Sequence, residues 1–252
     1  MVNELFAKWA VDLSGCDGGD IGTPENPSVW WCGIEWGGGF SEKSVDELQN
    51  VFKEEVNIDG YENFEKNFAY IFNWNALKLL SVIEGYKLED YKIFGQDKRP
   101  FVKNEKGYFK MNLYPVSFKN TSHHFWTETF SNATGLATKS EYLDWIRGNR
   151  FRTLREITKK HCPKLIVCTG ITFKDDFVTC FADDMIPNEE KIDNKSLFWV
   201  VNKNGTLVVI IPFMVNRYGL IRNASITKFG QRVVKSKSCC KFTLSNPSQL
   251  TN

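Results

Sequence analysis

Histidine is scarce in this sequence, and its cysteines lack the spacing of a metal site. The 252 residues include three histidines, His123, His124 and His161, and seven cysteines, none of them in a C-x-x-C pair. Zinc ribbons and iron–sulfur clusters need such pairs, and a histidine-rich metal centre needs more imidazoles. We therefore expect no metal and no cofactor. An odd number of cysteines without a disulfide pattern is typical of reduced thiols, so we expect a cytoplasmic protein.

The sequence also lacks long apolar runs. No stretch approaches the roughly 18 apolar residues of a membrane-spanning helix, and the first residues carry acids instead of a secretion signal. We therefore expect no membrane partner. The composition, 42% hydrophobic and 25% charged, is that of a globular chain long enough for a sizeable core. The prediction is a single domain over residues 1–252 that acts as a monomer.

Acidic residues are missing from the C-terminal end. Residues 1–146 contain 14 Lys and Arg against 22 Asp and Glu, residues 147–252 contain 18 against 8, and no acid follows Val215. A basic end of this kind is typical of a solvated face, or of a surface that binds a polyanion such as DNA. The charge pattern alone leaves both interpretations open.

Short apolar runs predict the strands of a sheet. The runs are rich in β-branched and aromatic residues and stop at Gly, Pro or Asn. They cover residues 29–34, 109–113, 165–169 and 207–211, and a fifth run at 197–201 leads into a hairpin turn.

Helical patterns alternate with these strands. Ser44 and Glu47 form a capping box that opens a helix to about residue 56. Further helices are predicted over 64–84, 139–160 (one helix, or two with a break near Gly148), 172–181 and 225–234. This alternation indicates an α/β fold, a layered domain with a central, mainly parallel sheet flanked by helices. Ligands of such sheets bind beyond the carboxyl ends of the strands.

Two strand ends carry a polar residue beside a turn. The first reads Gly33-Ile34-Glu35-Trp36-Gly37-Gly38-Gly39-Phe40, and the second reads Asn112-Leu113-Tyr114-Pro115. Together with the strand ends at 165–170 and 208–230, they resemble the uracil-DNA glycosylase superfamily, above all its single-strand-selective and mismatch-specific branches. The resemblance spans most of the chain as short anchors. It implies the fold of that superfamily and a DNA glycosylase activity.

Glu35 occupies the position where the superfamily keeps a water-activating Asp or Asn. Hydrolysis of an N-glycosidic bond passes through a sugar with oxocarbenium character. A carboxylate near C1′ orients water, accepts its proton and stabilises that sugar. The resemblance thus implies that Glu35 is catalytic. The alternative is that Glu35 caps a turn or pairs with a lysine.

Asn112 occupies the position of the superfamily's base-reading Asn. Its amide offers both a donor and an acceptor to the polar edge of a pyrimidine. The resemblance implies that Asn112 binds the base and supports catalysis. The alternative is a turn-forming Asn before Tyr114-Pro115.

The remaining base-binding candidates are Gly33, Trp36, Gly37 and Phe40. Uracil-specific members carry a Tyr at the position of Gly37, where it fills the space beside C5 of the base. A glycine there leaves room for a C5 substituent, as in the mismatch-specific branch. Phe40 either stacks on the flipped base or belongs to the core.

The last motif departs from the superfamily. Many members have a His there that donates to the leaving base, but residues 211–220 contain no His. Asn216, Arg217 or a backbone N–H would have to replace it. The loop is either an ordinary exposed loop or a DNA wedge followed by phosphate-binding residues. The DNA-binding candidates are Asn216, Arg217, Tyr218, Leu220, Arg222, Lys228 and Arg232.

His123 and His124 are adjacent within a polar and aromatic stretch. They form a metal pair, contact the base or sugar, or lie in a surface loop. The absence of an acid or Cys at ligand spacing favours the loop.

These features predict a monofunctional DNA glycosylase that acts on duplex or single-stranded DNA. The expected substrate is a C5-modified cytosine, hydroxymethylated or glucosylated as in some phage DNA, or a uracil or thymine lesion. The first choice would imply antiviral defence. Neither motif contains a lysine, so we expect no Schiff-base lyase step. The alternatives are a non-catalytic nucleic-acid-binding module of the same fold and a small-molecule hydrolase, which has no use for a basic end.

Overall fold

A mixed β-sheet forms the centre of the protein. The computed structural model describes residues 1–35 and 37–244, and within them the sheet has seven strands. The order is β1-β3-β2-β4-β7-β6-β5, in which the four central strands, β3-β2-β4-β7, are parallel. The strands are β1 (Gly18–Gly19), β2 (Val29–Gly33), β3 (Tyr108–Asn112), β4 (Leu165–Thr169), β5 (Asn188–Ile192), β6 (Lys195–Val201) and β7 (Leu207–Ile211).

The five predicted strands all form, within two residues of their expected bounds, because each is a mainly apolar run. Strands β1 and β5 were not predicted. Strand β1 consists of two glycines, and β5 (Asn-Glu-Glu-Lys-Ile) is a largely exposed edge strand without an apolar face. Polar edge strands of this kind resist pairing with other chains, and they carry no hydrophobic signal.

Helices cover both faces of this sheet, which confirms the α/β class. The predicted helix over 64–84 is instead divided at Ala69 and Tyr70. Of the two alternatives for residues 139–160, the single helix forms, without a break near Gly148. Of the helices in the described residues, none is long and apolar enough to cross a membrane. The α-helices of the described residues are α1 (Glu4–Val11), α2 (Val45–Val51), α3 (Phe64–Phe68), α4 (Ile71–Ile83), α5 (Tyr91–Lys98), α6 (Glu128–Thr134), α7 (Lys139–His161), α8 (Lys174–Phe181) and α9 (Asn223–Leu244).

Two hydrophobic clusters lie on opposite faces of the sheet. The alternation along β2 shows this, since Trp30 packs into the cluster with α1 and α7, whereas Trp31 packs into the cluster with α4 and α9. The central strands are buried on both faces, which explains why their sequences are mainly apolar, with Lys110 and Asn112 of β3 as buried polar exceptions.

The strand order places a crevice at the carboxyl ends of β2 and β4. The chain leaves β2 for β3 on one side, and after β4 it continues to β5, β6 and β7 on the other side. Adjacent strands whose connections diverge in this way leave a gap between their following loops, and ligands of open α/β sheets bind there.

Candidate functional site

A cleft with two adjoining cavities lies over the carboxyl ends of the parallel strands. The switch-point cavity, about 460 Å³, is bordered by residues that follow β2, β3, β4 and β7, among them Gly170 and Pro212. The Asn112 cavity, about 360 Å³, lies over the ends of β2 and β3. Glu35, Gly37 and Phe213 border both cavities. The motif singled out in the sequence therefore lies between the two halves of one cleft.

Asn112 ends β3 directly opposite Gly33 of β2. The residue is buried, and its Nδ2 donates to the carbonyl of Gly15 at 2.8 Å. A Cβ atom on Gly33 would lie 2.4 Å from Asn112 Oδ1, too close for any side chain. The Asn112 amide therefore explains why residue 33 is a glycine. The sequence analysis had instead placed Gly33 among the residues that contact a base.

Glu35 forms a buried ion pair with Lys139, the first residue of α7. Lys139 Nζ lies 3.3 Å from Glu35 Oε1 and 3.2 Å from Oε2, and the two side chains are 1% and 5% exposed. The ammonium also lies 3.9 Å from the centre of the Phe118 ring. The carboxylate thus pairs with a lysine, which was the alternative that the sequence analysis left open. Glu35 still borders both cavities.

Burial changes the proton affinity of both partners. Desolvation raises the pKa of Glu35 to about 7, against the opposing effect of Lys139. Desolvation also lowers the pKa of Lys139 below its usual range, although Glu35 acts in the other direction. The pair therefore holds a carboxyl group that changes its charge near neutral pH.

Open space surrounds the glycines after Glu35. Among the described residues, apart from its chain neighbours, a Cβ atom at Gly37 or Gly38 would meet no atom within 4 Å, and Gly38 and Gly39 have positive φ angles of 81° and 96°. Only Gly38 and Gly39 therefore need glycine for their backbone conformation. Gly37 leaves the cleft wide, as the sequence predicted. Trp36, a predicted base-binding residue, lies outside the described residues.

The prediction that Phe40 stacks on a base is wrong. Phe40 is buried in the core, packs against Trp9 and borders neither cavity of the cleft. The aromatic residues that border the Asn112 cavity are instead Tyr61, Tyr70, Phe72 and Phe213. These residues follow no pattern in the sequence that separates them from the other aromatic residues.

A polar cluster that the sequence analysis missed also borders the Asn112 cavity. It comprises Asp17, Tyr61, Asn73 and Lys110. Lys110 Nζ lies 3.1 Å from Asp17 Oδ2 and donates to Tyr61 and Asn73 at 3.0 and 2.9 Å. A lysine in the middle of an apolar strand was the one available signal for this cluster.

Lys110 is held as an ammonium. Burial favours its neutral form, but Asp17 and Tyr61 outweigh burial, and the pKa of Lys110 lies above its usual value. A protonated amine is not a nucleophile. The presence of this lysine beside Asn112 therefore does not argue for a Schiff base.

The predicted DNA-binding residues have different surroundings. Asn216 and Tyr218 border the switch-point cavity, and the Arg217 guanidinium lies 4.5 Å from the centre of the exposed Tyr218 ring. Arg217 and Arg222 are exposed. The wedge prediction for Leu220 is wrong, because its side chain is fully buried in the cluster under α9.

Lys228 and Arg232 already have anionic partners. Lys228 Nζ lies 2.5 Å from Asp193 Oδ1, and Arg232 Nε lies 2.5 Å from Glu190 Oε2. Arg232 also stacks on Trp199. The basic end of the chain is thus partly neutralised by acids in and beside the edge strand β5, which weakens the expectation that these two side chains hold phosphates.

His123 and His124 lie in an exposed 3₁₀ turn, His123–Phe125. His124 Nδ1 is 2.7 Å from Ser122 Oγ, and neither histidine borders the two cavities. This placement agrees with a surface loop.

No protein-family model matches this sequence, and no curated protein matches it either. The function must therefore be argued from the geometry of the cleft.

Proposed function

We propose that this protein is a monofunctional DNA glycosylase that removes a pyrimidine base from DNA and leaves an abasic site. The observation that carries the proposal is that Glu35 and Asn112 border one cavity of about 360 Å³ at the mouth of the parallel sheet. A cavity of this size, with both aromatic and polar walls, suits a small polar ring such as a flipped base.

The residues of the cleft supply the groups that base removal needs. The base stacks beside Phe72 and Phe213 while its polar edge faces Asn112. Glu35 orients a water molecule and accepts its proton as the water oxygen bonds to C1′. The N–C1′ bond breaks, and its electron pair leaves with the base, which takes up a proton. A carboxyl group with a pKa of about 7 suits this role, since a general base works best when its pKa is near the working pH.

The open loop after Glu35 supports a bulky substrate. A Cβ built on Gly37 or Gly38 would meet no described residue within 4 Å apart from its chain neighbours, so the loop leaves room for a C5 substituent. This space suits a pyrimidine with a substituent at C5, such as a hydroxymethylated or glucosylated cytosine, better than an unsubstituted uracil. An enzyme with this substrate would act in defence against phages whose DNA carries such bases.

A second candidate is a non-catalytic nucleic-acid-binding module. The buried ion pair between Glu35 and Lys139 favours this candidate, because the Lys139 ammonium makes the Glu35 carboxylate a weaker base. In that case the cleft would bind a flipped base without breaking the glycosidic bond.

The test is an oligonucleotide cleavage assay. Duplex and single strands contain uracil, a mismatched thymine, 5-hydroxymethylcytosine or its glucosylated form, and alkali converts abasic sites to strand breaks. We expect breaks with at least one modified cytosine. Gly37→Tyr should slow cleavage of the bulkiest base most, since the added ring fills the open space. Substrate-independent slowing would argue against the proposed role of Gly37.

Matched variants separate catalysis from folding. Glu35→Gln should abolish strand breaks, and Glu35→Gln/Lys139→Met should do so without leaving an unpaired buried ammonium. Glu42→Gln, an exposed acid of the same loop, should retain full activity. Parent-like cleavage by a folded Glu35→Gln protein would remove Glu35 from the mechanism. Salt-sensitive DNA binding without cleavage of any substrate by the parent protein would favour the non-catalytic module.

A further inference from the structure

Two exposed tyrosines differ from the other aromatic residues of this protein. Among the Phe, Trp and Tyr side chains that the structure describes, only Tyr70 and Tyr218 are exposed, to 58% and 73%. Tyr70 borders the Asn112 cavity, and Tyr218 borders the switch-point cavity. The two open rings therefore belong to opposite halves of one cleft, and Glu35 borders both halves.

The backbone places Tyr70 at the mouth of the Asn112 cavity. The residue interrupts the helical stretch between α3 and α4 with an extended conformation, φ −104° and ψ 125°. Phe72 and Phe213 of the same cavity are half-buried, and their ring centres lie 5.5 Å apart. These two deeper rings are the ones that we assign to the flipped base, which leaves the Tyr70 ring for another contact.

A hydrogen-bonded loop holds Tyr218 in the open. Its amide donates to Asn216 Oδ1 at 3.0 Å, and its carbonyl accepts from Lys195 Nζ at 2.7 Å. The amide of Gly219 donates to the Asn216 carbonyl at 2.9 Å and closes the turn. The Arg217 guanidinium lies over one face of the Tyr218 ring. The opposite face is therefore the one that a ligand meets.

Exposed cations accompany these rings. Lys119 borders the switch-point cavity, and Arg217 and Arg222 are exposed between β7 and α9. By contrast, Lys110 of the Asn112 cavity is buried and paired with Asp17. Proteins that bind single-stranded nucleic acid combine cations that follow the phosphates with aromatic rings that stack on successive bases. The rim of the cleft has both features.

The arrangement of the rings suits a single strand better than a duplex. In a duplex the bases beside a flipped one stay paired, and a side chain that replaces it stacks between them. Such a wedge needs two open faces, whereas Arg217 covers one face of Tyr218. A wedge also has no use for a second open ring in the other half of the cleft. In a single strand, each neighbouring base is free to stack on one ring.

We infer that the cleft binds single-stranded DNA, and that Tyr70 and Tyr218 stack on the two bases that flank the flipped one. The inference rests on the proposed role of the Asn112 cavity in holding that flipped base. It assigns the strand preference of the protein to two side chains outside the cavity interior.

The first test compares a single strand with a duplex. An oligonucleotide with a central 5-hydroxymethylcytosine, alone or annealed to its complement, is titrated with Glu35→Gln/Lys139→Met, so that binding is measured without cleavage. We expect the single strand to bind more tightly. Adding Tyr70→Ala or Tyr218→Ala should weaken its binding by about 5- to 150-fold, the range of one stacked base. Tyr70→Phe and Tyr218→Phe keep the rings and should keep the affinity.

A matched control comes from outside the cleft. Ile93 of α5 is exposed to 59%, much like Tyr70, and borders neither cavity. Ile93→Ala should therefore leave both affinities unchanged. All three positions are exposed, so we expect their substitutions to leave the fold intact.

A second test removes the neighbouring bases themselves. Single strands carry an abasic analogue on the 5′ or the 3′ side of the central base. One analogue should abolish the effect of Tyr218→Ala and the other that of Tyr70→Ala, because no base is left to stack. If the tyrosines only stabilise their loops, the substitutions weaken binding equally with and without the neighbours, and the inference is wrong.

The outcomes distinguish the inference from the proposed function. Equal or tighter binding of the duplex overturns the inference, even if abasic sites form. A loss of affinity in Tyr218→Ala for the duplex alone would make Tyr218 a wedge and overturn it as well. Single-strand binding with the expected dependence on both neighbours, but without cleavage by the parent protein, supports the inference and removes the glycosylase activity.

Discussion

The stability of the ion pair between Glu35 and Lys139 depends on the burial of both side chains as well as on their opposite charges. Removing either charge from water is unfavourable, and the pair is stable in this place because each partner compensates the other. The Phe118 ring covers the ammonium, which favours the charged lysine. Lys139 is thus a positioning residue, which fixes the orientation of the carboxylate and tunes its pKa.

Lys139→Met should shift the pH dependence of base removal upward. In the parent, the pKa of Glu35 is about 7, so activity should rise as pH rises through neutrality. Without the cation, desolvation acts unopposed, the pKa rises further, and the increase in rate moves to higher pH. The measurement is kcat/KM against pH on the cleaved oligonucleotide.

Stability should change with pH in the same variant. A carboxyl group whose pKa is raised by folding stabilises the fold at low pH, and this contribution is lost as pH rises through the folded pKa. The stability difference between parent and Lys139→Met should therefore be larger at pH 8 than at pH 6. Lys139→Arg keeps the cation and should restore the parental profile. A shift of activity to lower pH would contradict this assignment.

At the scale of elements, α7 connects the site to the N-terminal segment. Arg150 of α7 is fully buried and donates to the carbonyls of Leu113 and Asn112 at 3.1 and 3.3 Å, just where β3 ends. It also donates to the carbonyls of Ala10 and Ser14 at 2.8 Å each, and to that of Asp12. One helix thus supplies both the partner of Glu35 and the support of the strand that ends in Asn112.

Arg150→Met should therefore destabilise the protein by about 3 kcal/mol or more, because several buried carbonyls lose their donors at once. The free energy of unfolding is measured by urea titration. Arg152→Met, on the exposed side of the same helix, should change it by less than about 0.5 kcal/mol. Similar effects of the two substitutions would show that the buried guanidinium does not join these elements.

At the scale of the whole molecule, fewer basic side chains of the C-terminal half are available to bind phosphates than its sequence suggests. Asp193 and Glu190 neutralise Lys228 and Arg232, whereas Arg217 and Arg222 remain exposed near the loop that borders the cleft. Lys119, after β3, is also exposed and borders the switch-point cavity. A cationic rim around the cleft, rather than the length of α9, is therefore the surface that we expect to contact phosphates.

Salt dependence distinguishes these two groups of cations. Arg222→Ala should weaken DNA binding and reduce the slope of log K against log salt concentration by about 0.9 for duplex DNA, the value for one lost phosphate contact. Lys228→Ala should leave that slope unchanged, because Asp193 already neutralises the ammonium. The measurement is a binding titration at several salt concentrations. A reduced slope for Lys228→Ala alone would place the DNA along α9 instead.

Much of the fold was predictable because its central strands are buried on both faces. An apolar run such as 165–169 needs no information from the rest of the chain to be recognised as a strand. The capping box at Ser44 and Glu47 is local too, and both of its hydrogen bonds form. The break between α3 and α4 was missed because Ala69 and Tyr70 carry no helix-stopping signal.

The sequence by itself determined the α/β class, the two polar strand ends and the glycine loop, because periodicity and turn chemistry act between residues close in the chain. Only the tertiary structure decided which groups meet there. Lys139 reaches Glu35 across 104 positions, Asp17 reaches Lys110 through an edge strand of two glycines, and Phe40 and Leu220 turn into the core. The partners of a buried charge depend on how layers pack, and packing is a property of the whole chain.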